Sequence, residues 1–341
     1  MIYPRTILVL RFSSIGDIVQ TTSVIGTLKK KFPKSRIDFM TLSKYSSILL
    51  GHPYINKIHE VDINANYKDL KSIAIKMNDL KYDLVLDMHN TTRSKIIRRF
   101  IKNSNKHFIR KPRWNRFKNF VLHLNHFPKN FSVRLWMNEI LNDLFNEKLK
   151  PSKTKLFISK EEMNKSSLFL QSKGVDKPFF VVLPGAAWPQ KTWLYDRYIS
   201  VIKKCIKKYD LCPILIGGST DTVCDSIKNI LGEKLIDLHG KTTLRESIAI
   251  ISKSEFVIGS DTGLVHAAEA LDISAISILG PTTMETGAGL FNKKSKIVQD
   301  KNLWCRPCSQ NGSIPCYRKE QYCMTNINIE NVMNAVNGLM Q

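Results

Sequence analysis

Asp17 sits in Ser13-Ser14-Ile15-Gly16-Asp17, between an apolar run and a helical one. A carboxylate there can take the proton of an attacking hydroxyl as a general base. It can equally cap the helix that follows. Lys191 lies in Pro189-Gln190-Lys191-Thr192-Trp193. A cation in such a loop can hold the charge that builds on a leaving diphosphate without a metal, and Thr192 adds a hydroxyl beside it. A solvated surface lysine is the plainer reading. Asp261-Thr262-Gly263 follows another apolar run. Free backbone N–H groups at a helix start suit a diphosphate, and Gly263 lets the backbone come close. Asp261 would repel a phosphate, so a cap or a sugar-hydroxyl contact suits it better. His266 faces the ligand or is satisfied within its helix. Four thiols recur as Cys305-x2-Cys308-x7-Cys316-x6-Cys323. They could hold Zn²⁺ or an iron ion tetrahedrally as a structural staple, or remain free.

These residues need elements to position them. Residues 6–12 form a continuous apolar run rich in β-branched side chains, as a buried parallel strand does. A turn follows, then helical spacing over 18–31 that ends near Phe32-Pro33. Further strands are expected at 36–41, 57–61 and 84–87, and helices at 70–79 and 133–146. Residues 148–160 are polar and read as the join between two halves. The second half repeats the pattern. Strands at 179–183, 213–216, 235–238, 256–259 and 275–279 alternate with helices at 196–208, 222–231 and 244–252 and one running to Leu271. A last helix is expected from about 329 to 340. Strand–helix alternation predicts an α/β fold of parallel, doubly wound sheets. The strands end in small-residue loops such as Pro184-Gly185, Gly217-Gly218-Ser219 and Gly280-Pro281-Thr282, where open α/β sheets bind ligands.

The charge balance narrows the partners. Lys and Arg number 52 against 29 Asp and Glu, a net charge of +23. Such a surplus points to nucleic acid, acidic lipid or a phosphorylated substrate. A low-GC genome that inflates Lys and Asn is the plainer source. Residues 93–118 hold many Arg and Lys and no acidic residue, with Trp114 and Phe117 interleaved and Phe120 just beyond. That composition suits an anionic acceptor or the surface of a membrane. The N-terminal apolar stretch is too short for a signal peptide, and no run reaches the roughly 20 apolar residues of a membrane span. A cytoplasmic protein is expected. Its seven cysteines are then expected to stay reduced, with Cys205, Cys212 and Cys224 as core thiols. No zinc-finger, RNP-type or helix-turn-helix pattern supports a nucleic-acid-binding protein. No G-x-G-x-x-G follows the first strand, as a nicotinamide-dependent oxidoreductase would need.

With these loops in place, the chain resembles glycosyltransferase family 9, the ADP-heptose:lipopolysaccharide heptosyltransferases. The residues that carry the resemblance are RFSSIGDIVQTTSVIGTLKKKFP, LPGAAWPQKTW, LIGGSTD, VIGSDTGLVHAAEALDISAISILGPT and the C-terminal CRPC. The resemblance implies a GT-B fold, two Rossmann-like doubly wound domains facing across a cleft. They would be an acceptor-binding domain over 1–160 and a nucleotide-sugar domain over 161–341, with the final helix able to pack back on the first. It implies inverting transfer of heptose from ADP-heptose to the inner core of lipopolysaccharide, with no metal in the chemistry. Asp17 would be the general base and Lys191 the cation on the diphosphate. Ser13, Ser14 and Gly16 would shape the acceptor side. Thr192, Ser219, Asp221, Asp261, Thr262, Gly263 and His266 would meet the donor. Family members often carry a Glu for the ribose hydroxyls near Ser219. This chain offers Ser219, Thr220 and Asp221 there instead. The implied partners are an anionic glycolipid and the cytoplasmic face of the inner membrane, and not nucleic acid. Another nucleotide sugar or acceptor, or a sugar-nucleotide epimerase of the same fold, is the nearest alternative.

Overall fold

The computed structural model describes residues 3–128 and 130–341. In chain order the elements are β1 (Thr6–Leu10), α1 (Ile15–Lys31), β2 (Arg36–Leu42), α2 (Ser43–Ser46), β3 (Lys57–Val61), α3 (Tyr67–Met77), β4 (Leu84–Asp87), α4 (Thr92–Phe100), β5 (Asn105–Phe108), α5 (Arg113–Val121) and α6 (Val133–Phe145). There follow α7 (Lys160–Ser172), β6 (Phe179–Leu183), α8 (Tyr195–Tyr209), β7 (Cys212–Leu215), α9 (Thr222–Leu231), β8 (Ile236–Asp237), α10 (Leu244–Ile251), β9 (Phe256–Ser260) and α11 (Gly263–Ala270). The chain closes with β10 (Ser274–Ile278), β11 (Lys296–Val298), α12 (Tyr322–Thr325) and α13 (Ile329–Asn337).

The chain divides into two compact units. One comprises residues 1–112 and 133–157, the other 113–132 and 158–341. The expected domains met at 160/161, without the early excursion of 113–132.

In the first unit five strands lie in the order β3-β2-β1-β4-β5, and every pairing is parallel. The central strand β1 buries Ile7, Leu8, Val9 and Leu10 completely. A strand covered by helices on both faces has to be apolar throughout. Helix α6 and the polar segment after it are both fastened to α1. Ser152 donates its N–H to Thr27 Oγ1 at 2.9 Å, and Asn138 Nδ2 donates to Ser23 Oγ at 3.0 Å.

In the second unit six strands lie in the order β11-β10-β9-β6-β7-β8, again all parallel. Two apolar clusters cover its faces. One gathers Phe180, Trp193, Tyr198 and Ile258 with Val332, Met333 and Val336 of α13. The other gathers Val181, Leu183, Ile214, Val257 and Val265. The apolar face of α13 is thus used inside this unit. Buried Trp193 donates its indole N–H to Ile327 O at 3.1 Å, tying the segment before α13 to the loop after β6. Such a burial is worth roughly 1.5–3 kcal/mol per large side chain.

Candidate active site

Asp17 occupies the third position of α1, and the cap is Ser14. The Asp17 carboxylate reaches back to that cap. Its Oδ2 accepts from the Ser14 N–H at 3.2 Å and from the Ser14 hydroxyl at 3.0 Å. The same oxygen lies 2.6 Å from Arg11 Nη2. Arg11 is itself buried at the end of β1, where its guanidinium donates to Ser13 O at 2.8 Å and Met88 O at 2.5 Å. Burial acts to raise the pKa of Asp17. The Arg11 charge and the Ser14 and Arg11 hydrogen bonds outweigh it and hold the carboxyl below its usual range. The side chain is still 32% exposed, so the carboxylate can be approached. Ser13 and Ser14 form the turn, and Gly16 is buried in the first turn of α1.

His89 lies beside this group. Its Nδ1 accepts the Phe12 N–H at 3.1 Å, so the other ring nitrogen carries the proton in the neutral form. Burial, then the Arg11 charge, pushes its pKa down to about 3. It is a neutral ring at physiological pH. Part of the basic stretch has local work. Arg98 pairs with buried Asp87 at 3.0 Å, and Arg93 donates to Ile63 O at 2.7 Å.

In the second unit Lys191 follows the loop after β6. Its ammonium lies 2.8 Å from Asp261 Oδ2, with the two side chains only 11% and 12% exposed. The buried Thr282 hydroxyl donates to that same Asp261 oxygen at 2.8 Å. Lys191 is therefore no solvated surface lysine. Asp261 does not cap α11; Thr262 takes that position and Gly263 begins the helix. Asp261 prefers the ion pair because its carboxylate finds there both a cation and a hydroxyl donor. Thr192 is half-buried next to Lys191, and His266 is buried in α11.

The loop after β7 carries Ser219 and Asp221. Asp221 turns inward, and its Oδ2 accepts the Gly218 N–H at 2.7 Å. A side chain at Gly185 would collide with it at 2.1 Å, so the glycine makes room for the carboxylate. Asp221 thus laces the loops after β6 and β7 together, while Ser219 is exposed.

The four cysteines Cys305, Cys308, Cys316 and Cys323 line one small cavity, together with Gln190 and Pro281. Burial raises the thiols of Cys308 and Cys323, the latter to about 11. Among the described residues no three His, Cys, Asp or Glu side chains come close enough together to hold a metal ion.

Sequence reasoning missed Arg11 and His89. Arg11 was visible in principle, as a charge just past an apolar strand. His89 acquires meaning only through contacts made far along the chain.

A sequence profile described as Glycosyltransferase family 9 (heptosyltransferase) matches residues 71–317. The chain is similar to the lipopolysaccharide heptosyltransferase 1 of Campylobacter coli, with 22% identity over 98% of each chain. Its fold is like that of a glycosyl transferase family 9 structure from Veillonella parvula, at TM-score 0.81 and 19% identity over 98% of this chain and 97% of that one. It is also like E. coli ADP-heptose lps heptosyltransferase II, at TM-score 0.73 and 18% identity over 98% of each. These likenesses show the fold, the GT-B type with two Rossmann-like domains. With the profile covering most of its length, the chain belongs to glycosyltransferase family 9 (heptosyltransferase), and it is a glycosyl-transferring enzyme.

Proposed function

We propose that the protein transfers a heptose from ADP-heptose to the inner core of lipopolysaccharide with inversion. The observation that carries the reading furthest is the Lys191–Asp261 pair at the start of α11, within a chain of this family. A buried ammonium held beside free helix N–H groups suits a diphosphate that gains charge as it leaves. In the proposed step an acceptor hydroxyl oxygen attacks the anomeric carbon and its proton passes to the Asp17 carboxylate. The bond from that carbon to the diphosphate oxygen breaks, and ADP departs against Lys191. Thr192, Thr262 and Gly263 would assist on the donor side, with His266 and Ser219 nearby in the same unit. The inward turn of Asp221 favours a loop-shaping task for it. Ser13, Ser14 and Gly16 would border the acceptor, held by the first domain.

The proposed acceptor is an anionic glycolipid at the cytoplasmic face of the inner membrane. Helix α5 supports this. Its Trp114, Phe117 and Val121 face outward, with Trp114 71% exposed, while Asn119 on the other side is only 2% exposed. A helix with its apolar face outward and a polar residue buried asks for an apolar partner. Basic residues at 110, 111, 113, 116 and 118 surround it in sequence, as an anionic lipid surface would favour. No helix among the described residues is long and apolar enough to cross a membrane. The chemistry asks no cofactor of the protein. A structural Zn²⁺ or iron ion at the four cysteines is proposed alongside: all four line one cavity, and an ion would have to draw their thiols onto one centre.

The test is release of ADP from ADP-heptose in the presence of a deacylated lipopolysaccharide core. Acceptor-dependent release is expected. Asp17→Asn is expected to lower it by roughly 10²–10⁴, the usual worth of a general base, and Lys191→Ala to lower it comparably. Release without acceptor, or isomerised donor, would instead mark a hydrolase or an epimerase. No release would turn the search to another nucleotide sugar.

A further inference from the structure

The segment after β11 has no task in the chemistry above, yet it touches the Lys191 turn and its surroundings at three points. Arg306, largely buried, donates through Nη2 to Leu279 O at 3.2 Å, to Thr282 O at 2.9 Å and to Gln299 Oε1 at 3.0 Å, and through Nε to Gly280 O. It thereby fixes the loop whose Thr282 holds Asp261. Gly312 lies under the stem of Lys191. A Cβ built on Gly312 would sit 2.5 Å from Lys191 Cγ and 2.7 Å from Cδ, so the methylene chain rests directly on the glycine backbone. Gly312 is also at φ +81°, and its N–H is held by Ser309 Oγ at 2.9 Å. Gln321 donates its side-chain N–H to the carbonyl of Gln190, the residue before Lys191.

We propose that residues 306–321 form the seat of Lys191, with Arg306, Gly312 and Gln321 as positioning residues that set how tightly the enzyme holds a nucleoside diphosphate. The proposal rests on the reading that Lys191 meets that diphosphate. A lysine has a long, freely rotating stem, and ordering it costs entropy. Here the stem, the backbone and the counter-ion are each held from the same segment. The ordering is done at folding, so it need not be done again when the ligand binds. A glycine kept only for a left-handed turn would not need to lie against the lysine stem.

The experiment is calorimetric titration of the full chain with ADP, on the wild type and on Lys191→Ala, Gly312→Ala, Gln321→Ala and the two double variants with Lys191→Ala. Gly312→Ala is expected to weaken ADP about tenfold or more, the scale of one misplaced charged hydrogen bond. Gln321→Ala is expected to weaken it less, and serves if Gly312→Ala does not fold. In the Lys191→Ala background neither change is expected to cost anything further, because residues acting through one partner are not additive. Ser172→Ala, at the exposed end of α7, is expected to bind like the wild type. Unchanged ADP affinity in Gly312→Ala and Gln321→Ala, with Lys191→Ala impaired, overturns the seat and leaves the proposed function standing. An equal loss with and without Lys191 also overturns it. If Lys191→Ala itself binds ADP normally, the assignment of Lys191 fails and the seat fails with it.

Discussion

A carboxylate that is to act as a base has to stay ionised and stay aimed, and Arg11 gives Asp17 both. The pair at 2.6 Å, with the Ser14 donors, keeps the carboxyl below its usual range. The base is active when deprotonated, so activity is lost only as pH falls through that lowered value. In Arg11→Met the lowering charge is gone and burial remains. The acid limb of kcat/KM is then expected to move to higher pH, whereas Arg11→Lys holds it lower. A pH–rate profile of the three proteins checks this, and an unmoved limb would separate Arg11 from the acidity of Asp17. His89, pushed down to about 3, is expected to add no limb near neutrality. Asp17, Lys191 and the Asp261-Thr262-Gly263 turn could be picked from the sequence once the family resemblance stood beside their type and their place after apolar runs. That Asp261 would pair with Lys191 instead of capping could not, since the two lie on loops after different strands.

At the scale of elements, close packing at the ends of strands is exacting. A Cβ on Gly259 in β9 would meet Leu183 Cβ and Val265 Cγ2 at 2.9 Å and Leu183 O at 3.0 Å. Gly259→Ala is expected to cost about 1–3 kcal/mol as an overpacked core, read as a lower urea midpoint. Helix α5 tests the membrane reading separately. Trp114→Ser with Phe117→Ser is expected to weaken binding to anionic phospholipid vesicles by roughly tenfold or more, given the worth of burying two aromatic side chains. Turnover of a soluble acceptor is expected to stay near that of the wild type. The pattern of apolar runs revealed β1, β6, β9 and β10, because central parallel strands are apolar throughout. It did not reveal β5 (residues 105–108), an edge strand that is nowhere fully buried. Helices α4 and α5 were hidden by their many basic residues. Helix α7 was legible after all. Ser159 and Glu162 form the reciprocal cap that S-x-x-E spacing announces, but the polar run before it read as a linker.

For the whole molecule, the thiol cavity and the order of the chain both matter. If the four cysteines hold a structural ion, the purified protein is expected to carry about one Zn²⁺ or iron per chain by elemental analysis. Cys308→Ser with Cys323→Ser is then expected to lose it. The alternation of strands and helices made two Rossmann-like units legible from sequence. Their interleaving was not, because residues 113–132 join the second unit through contacts such as Asn125 Nδ2 with Glu285 Oε1 at 2.9 Å and the ring contact of His123 with Trp304. The backbone therefore passes from one unit to the other three times, at 112/113, 132/133 and 157/158. That bears on how such enzymes can be recombined. A single genetic crossover near residue 157, the obvious place to trade one relative's second half for another's, would leave residues 113–132 inherited from the wrong parent. A faithful exchange of units needs three crossovers, so chimeras made by one are expected to melt lower than either parent.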